Sequence, residues 1–337
     1  MARDRGVRSR RQFLQGSLAL TGLGLLAGCG LPPLPWQRTP RVHRIGYLWN
    51  GAASPTFMSL RDAFLQGMRD LGYVENETFV LDVRRANGDA GLPETVAELV
   101  GLRPDAIVAP AVVEARAVQA ATTTIPIVSA GVGDLVTTGL AESLARPGRN
   151  VTGLSTPVLA RKQLEFLKEA VPTLARVAVM IDLSRVADFE AESHEAAAKS
   201  LGLELQVLGV DGPGGLEGFF EAALRAGANG VLLTPVPLTS ANQARIAELA
   251  TLNRLPAIAQ QSDAASLGQL MAYGPNRVAL HRTAATYVDK ILRGAKPADI
   301  PAEQPTLFDF GINLKTAQAL GLTIPRSILV QATTIID

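Results

Sequence analysis

The chain has one cysteine in 337 residues, three histidines, and no apolar run of the roughly 18 to 20 residues that a membrane-spanning helix needs. A lone thiol, Cys29, excludes an intramolecular disulfide and a thiolate metal set, so stability has to come from packing. His43, His194 and His281 lie far apart, and none has a second histidine three or four residues away, which removes the helical pair that many metal sites use. No Gly-x-x-x-x-Gly-Lys-Ser/Thr loop occurs, so there is no P-loop for ATP. No Gly-x-Ser-x-Gly elbow occurs either, and no serine has an evident histidine partner. Gly212-Pro213-Gly214-Gly215 carries proline where a dinucleotide loop needs open N–H groups, and Gly22-Leu23-Gly24 sits in an apolar leader. Glu190, Glu192 and Glu195 have the spacing of a solvated helix face. These absences argue against an enzyme, a metal and a cofactor. Charge of one sign is also lacking: 32 basic against 31 acidic residues leave no basic stripe for nucleic acid.

What is present starts at the amino end. Arg10-Arg11-Gln12-Phe13-Leu14 precedes an uncharged stretch from Gly16 to Gly28, which ends in Leu26-Ala27-Gly28-Cys29. A basic segment, an apolar segment and small residues before a cysteine have the order of an export signal over 1–28, with a twin-arginine character. The tetrad resembles a lipobox, so Cys29 is the expected lipidation site and the membrane is met through that lipid only. Residues 29–41 hold four prolines and read as an extended spacer. Without residues 1–28, 27 basic and 30 acidic residues remain. The expected location is the periplasm or cell surface.

From His43 onward, short β-branched runs alternate with segments of helical period. Expected strands are 44–49, 79–84, 106–109, 125–130, 176–181, 204–210, 230–234, 257–260 and 270–273, with one more after the Pro147-Gly148 turn. Runs such as Val177-Ala178-Val179-Met180-Ile181 are apolar on both faces, as in a parallel strand covered by helices on both sides. Expected helices include 59–71, 163–171, 189–201, 216–226, 241–252 and 282–292, each with an apolar stripe. The rhythm breaks at 146–155, after Tyr273-Gly274-Pro275-Asn276, and at 296–305. Three breaks predict three crossings between two lobes. The fold class is therefore α/β: two doubly wound parallel-sheet lobes joined by a three-segment hinge, with 42–153 plus 275–303 in one lobe and 154–274 plus 304–337 in the other.

Gly148-Arg149-Asn150-Val151-Thr152-Gly153, Tyr273-Gly274-Pro275-Asn276, the run from Tyr287 through Lys290, Arg293 and Gly294 to Pro301, and Ile312-Asn313-Leu314-Lys315-Thr316-Ala317 resemble the tryptophan/tyrosine-type ABC transporter substrate-binding proteins. The resemblance implies a type I periplasmic-binding-protein fold whose lobes close on a small molecule. It implies delivery to an ABC permease with separate ATPase subunits, an amino acid or related small acid as ligand, and a monomer. Two loops depart from the family pattern: Pro110-Ala111-Val112-Val113-Glu114-Ala115 lacks the expected Thr-Pro, and Asp134-Leu135 replaces Asp-Pro.

Ligands of open parallel sheets sit beyond the carboxyl ends of the strands. The expected cleft therefore receives Trp49, Asn50 and Ser54, then Val112 and Val113, then Gly133 and Asp134 from one lobe. The other supplies Ser155, Asp182 and Ser184, Pro237, then Gln260, Ser262 and Asp263, with Tyr273 near the hinge. Helix N-termini there favour a carboxylate, and the aspartates suit an ammonium group. Bland roles compete: Asp134 and Asp182 as N-caps, Trp49 and Tyr273 as packing residues, Ser54-Pro55 as a helix start, and Ser155 and Ser262 as exposed loop hydroxyls. A sensory module that reports occupancy to a membrane receptor would need the same hinge, and an enzyme working in the cleft is the remaining alternative.

Overall fold

The apolar runs become strands and the striped segments become helices in this computed structural model, which describes residues 41–51, 53–184 and 190–337. The leader, Cys29 and the spacer up to residue 40 lie outside the described residues. The first part of the chain runs β1 (His43–Asn50), α1 (Pro55–Asp70), β2 (Phe79–Ala86), α2 (Leu92–Gly101), β3 (Ala106–Ala111), α3 (Val112–Ala121), β4 (Ile127–Val132) and β5 (Val151–Leu154). These strands form one sheet in the order β2-β1-β3-β4-β5, with every neighbouring pair parallel. The order reverses between β1 and β3, so the loops after those two strands open side by side.

The second part runs α4 (Ala160–Ala170), β6 (Arg176–Asp182), α5 (Ala191–Ser200), β7 (Glu204–Val210), α6 (Leu216–Arg225), β8 (Gly230–Leu233), α7 (Pro237–Ala241), α8 (Gln243–Leu252), β9 (Ala257–Ala259) and β10 (Met271–Pro275). Then come α9 (Arg277–Leu292), β11 (Phe308–Asn313), α10 (Leu314–Ala319), α11 (Arg326–Leu329) and β12 (Thr334–Ile336). The second sheet has the order β12-β11-β10-β9-β8-β6-β7. It is not wholly parallel: β10 and β11 pair antiparallel, and β12 follows β11. The connection from β10 to β11 leaves the sheet through α9 and returns from the other domain, so β11 arrives running the opposite way.

Two α/β domains result. Each sheet is covered on both faces, with Ile45, Phe64, Met68 and Val288 in one layer of the first domain and Leu48, Leu99, Ile107 and Val118 in the other. The chain passes between sheets after Leu154, at Asn276, and between Glu303 and Phe308. These passages are tied to one another: the Ser155 N–H donates to the Glu303 carbonyl at 2.9 Å, and the Asn276 N–H donates to the Leu307 carbonyl at 3.0 Å. The quoted sequence motifs serve as fasteners. Asn150 Nδ2 donates to the carbonyls of Thr122 and Ile125, Asn276 Oδ1 caps α9 by accepting from the Ala279 N–H at 2.7 Å, and Asn313 caps α10 through the Thr316 N–H at 3.0 Å.

Helix α9 follows a strand of the second sheet but packs on α1, β3, β4 and β5 of the first domain. Close approach is possible because residue 67 is glycine: a Cβ there would lie 2.8 Å from the Ala285 Cβ and would overlap the Arg282 carbonyl. Helix α9 begins five residues before the expected start at 282, and α1 begins at Pro55 rather than 59. In both, the first turn is fixed by a capping side chain rather than by an apolar stripe. Among the described residues no helix is long and apolar enough to cross a membrane.

Candidate functional site

The first domain brings three carboxyl-end loops together. Trp49, half-buried at the end of β1, packs against Phe57 with ring centres 5.2 Å apart. Asn50 closes the strand; its N–H donates to Glu114 Oε1 at 3.2 Å, and its Nδ2 donates to Asp89 Oδ1 at 2.6 Å. The bond to Glu114 joins the loops after β1 and β3, where the strand order reverses, and the bond to Asp89 ties in the loop after β2. Ser54 is the N-cap of α1, its Oγ accepting from the Phe57 N–H at 3.1 Å. Val112 and Val113 open α3 and pack partly buried beside the core layer of Leu48 and Ile107. Gly133 has φ +96° and comes against Val112, and Asp134 Oδ1 accepts from the N–H groups of Val136 and Thr137 at 2.8 and 2.9 Å. Asp134 thus holds its own turn.

Ser155 corrects the expectation of an exposed loop hydroxyl. It is fully buried, and its Oγ accepts from the Leu135 N–H at 3.0 Å, because the first crossing strand runs beneath the 133–140 turn.

On the second domain, Asp182 Oδ1 accepts from the N–H and the hydroxyl of Ser184 at 2.9 and 2.6 Å. Pro237 is the exposed first residue of α7. The Gln260 carbonyl lies so close to Gly274 that a Cβ there could not be accommodated, which locks the loop after β9 onto β10. Ser262 and Asp263 are half-buried in that loop. Tyr273 packs into the second domain, stacked on Phe308 at 5.6 Å and edge-on to Phe166 at 5.2 Å. Its ring is part of the domain's aromatic packing.

Among the described residues, two side-chain hydrogen bonds away from the connecting segments join the domains. Thr56 Oγ1 donates to Asp263 Oδ2 at 3.4 Å, and Thr137 Oγ1 donates to Glu190 Oε1 at 3.3 Å. Burial raises the Glu190 pKa, Thr137 lowers it, and the nearby Asp134 charge raises it further.

The structure adds residues absent from the expected set. Glu114, 4% exposed, stands at the first turn of α3. Arg277, the first residue of α9, is held below the ordinary arginine pKa by burial, while Asp263, Tyr47 and Glu114 oppose that shift. The buried Tyr47 hydroxyl is pushed up by desolvation, and the His281 imidazole is depressed to about 3 by burial with the Arg277 charge adding to it. An acid in the otherwise apolar segment 110–115 was the one sequence signal for Glu114. Arg277 had none, because its neighbours come from residues 47, 114 and 263.

Among the described residues no group of three His, Cys, Asp or Glu is arranged to hold a metal ion. A hollow of about 460 Å³ lined by Arg116, Gln119, Thr123 and Arg149 lies by the amino ends of β4 and β5, the edge opposite these loops.

A profile of the family described as ABC transporter substrate binding protein matches residues 52–336. A curated tyrosine-binding protein of Clostridioides difficile is 27% identical over 271 residues, covering 80% of this chain and 78% of that one. Among solved structures, an ABC domain in complex with L-Trp from Streptococcus pneumonia superposes with a TM-score of 0.81 at 22% identity, covering 88% of this chain and 100% of that one. The ligand-free, open structure of a substrate-binding protein with adhesive properties from Clostridium difficile superposes with a TM-score of 0.67 at 24% identity, over 88% and 99% of the two chains. These likenesses give the type I periplasmic-binding-protein fold.

Proposed function

The chain belongs to the ABC transporter substrate-binding protein family, and on that premise we propose that it captures a small solute between its two domains and hands it to an ABC permease served by separate ATPase subunits. The supporting observation is the Thr56 to Asp263 contact: loops at the carboxyl ends of both sheets meet there, beside Glu114 and Arg277. Ligand bound between such loops favours the closed arrangement by its higher affinity for that state. The tyrosine and tryptophan named for relatives favour an amino acid as the solute. The protein acts as a carrier, not an enzyme, and as a monomer. The leader and Cys29 support export and lipid anchoring at the periplasmic or outer face, where a tether raises the concentration near the permease.

The experiment is a thermal-shift screen of amino acids, sugars and nucleobases, followed by small-angle scattering with each hit. A binder should raise the melting temperature by mass action and contract the radius of gyration. Binding with an unchanged radius counts against closure. Replacing Cys29 by serine should move the protein to the soluble fraction, and retention on washed membranes would count against the lipid anchor.

A further inference from the structure

Three buried polar atoms without hydrogen-bond partners gather where α9 meets β1: Tyr47 Oη, His281 Nε2 and Arg277 Nε. Tyr47 and His281 are both 0% exposed, and their rings lie 6.3 Å apart. His281 Nδ1 is 2.8 Å from the Arg277 carbonyl. A carbonyl only accepts, so Nδ1 carries the proton and Nε2 faces inward as an acceptor. Buried polar groups in folded proteins are almost always satisfied, and a cluster of orphans marks a place built to receive polar atoms from elsewhere.

The guanidinium of Arg277 stands at the edge of this cluster. It is not locked into a structural ion pair: Nε is orphaned, while the charges acting on it come from Asp263 on the second domain and Glu114 on the first. Asp263 already reaches across to Thr56 at 3.4 Å, and Glu114 already accepts from the Asn50 N–H at 3.2 Å. Arg277 therefore offers a delocalised cation with an unpartnered Nε, within electrostatic reach of two carboxylates that already have hydrogen-bond partners. A carboxylate matches the planar fork of arginine, and an ammonium beside it matches the flanking acids.

We propose that Arg277 anchors the carboxylate of the bound solute, which is therefore a carboxylate-bearing small molecule rather than a sugar or nucleobase. This rests on the solute-capture reading above. Arg277 lies on the segment where the chain passes from β10 into the first domain, so a ligand held by it contacts the joint between the domains as well as both walls.

The test uses the twenty proteinogenic L-amino acids, their C-terminal amides, and a set of sugars and nucleobases, with binding measured by calorimetry. The expected result is that every binder carries a free carboxylate and that its amide binds at least about tenfold more weakly. Arg277→Gln should weaken the acid by about 10- to 100-fold and leave the amide within about threefold, so the acid-to-amide ratio collapses; Arg277→Lys should lie between. The ratio is measured within one protein, so partial loss of stability cannot imitate it, and Arg277→Lys keeps the charge should the glutamine variant not fold. A sugar or nucleobase that binds and contracts the protein would overturn the carboxylate anchor and leave solute capture standing. Equal binding of acid and amide, or an unchanged ratio in the variants, would also overturn it. A panel in which nothing binds would overturn both.

Discussion

Thr56 and Asp263, 207 residues apart in the chain, meet through a 3.4 Å hydrogen bond that joins α1 of the first domain to the loop after β9 of the second. A hydroxyl bond to a carboxylate typically contributes about 1.5 to 3 kcal/mol, and at 3.4 Å this one is long and partly exposed, so its own contribution falls below that range, to roughly half a kcal/mol. Asp263 has a second role that Thr56 lacks, because its charge opposes the desolvation of Arg277. Thr56→Ala should therefore weaken ligand binding by no more than about threefold, and Asp263→Ala by about tenfold or more. Calorimetric titration of both variants checks the ranking; equal losses would remove Asp263 from the site.

His281 makes stability pH-dependent with a definite sign. Its folded pKa, about 3, is below the ordinary 6.5. The unfolded chain therefore takes up a proton first as the pH falls. The stabilisation is fully present above about 6.5 and is lost as the pH drops toward 3, with a slope approaching about 1.4 kcal/mol per pH unit. His281→Gln should be less stable at neutral pH yet show a flatter acid limb between those two values. Urea midpoints at half-unit intervals measure it, and an unaltered limb would refute the assignment to His281.

The α1 and α9 crossing depends on Gly67. A methyl at that position would meet the Arg282 carbonyl and approach Ala285 to 2.8 Å. Gly67→Ala should destabilise by about 1 to 3 kcal/mol through overpacking, although alanine is the better helix former. Denaturant unfolding checks this, and a stabilised variant would show that the helices separate freely.

Ser155 is predicted to matter for stability rather than for ligand. Ser155→Ala leaves the Leu135 N–H without its acceptor in a buried place, which costs about 1 to 3 kcal/mol. Affinity for any solute found in the screen should change less than about twofold. A large affinity change with normal stability would return Ser155 to the binding surface.

Much of the architecture was legible in the residues. The run from Val177 to Ile181 is apolar throughout and forms the buried part of β6, and Leu60, Phe64, Leu65 and Met68 face the core along α1. Local period decides such elements, and these stretches are long enough to show it. Helix α3 was not legible, because its ten residues begin in a valine pair that reads equally well as loop or strand. Strands β11 and β12 were missed because their pairing is supplied by a chain returning from the other domain. The rule that loops of an open parallel sheet open at strand carboxyl ends accounts for where Asn50 and Asp263 lie in the fold, whereas the burial of Ser155 did not follow from it: whether a hydroxyl after β5 meets solvent or a backbone N–H depends on the turn folded over it.

By itself, the sequence determined the alternation of strands and helices, the family, and the exclusion of P-loop, disulfide and serine-elbow chemistry. Each of these depends on residue type and on spacing within a few positions. Only the tertiary structure decided which charged groups share a place. Tyr47, Glu114, Asp263 and Arg277 come together through strand order and through a helix that follows a strand of one sheet but packs on the other, and no local period carries that information.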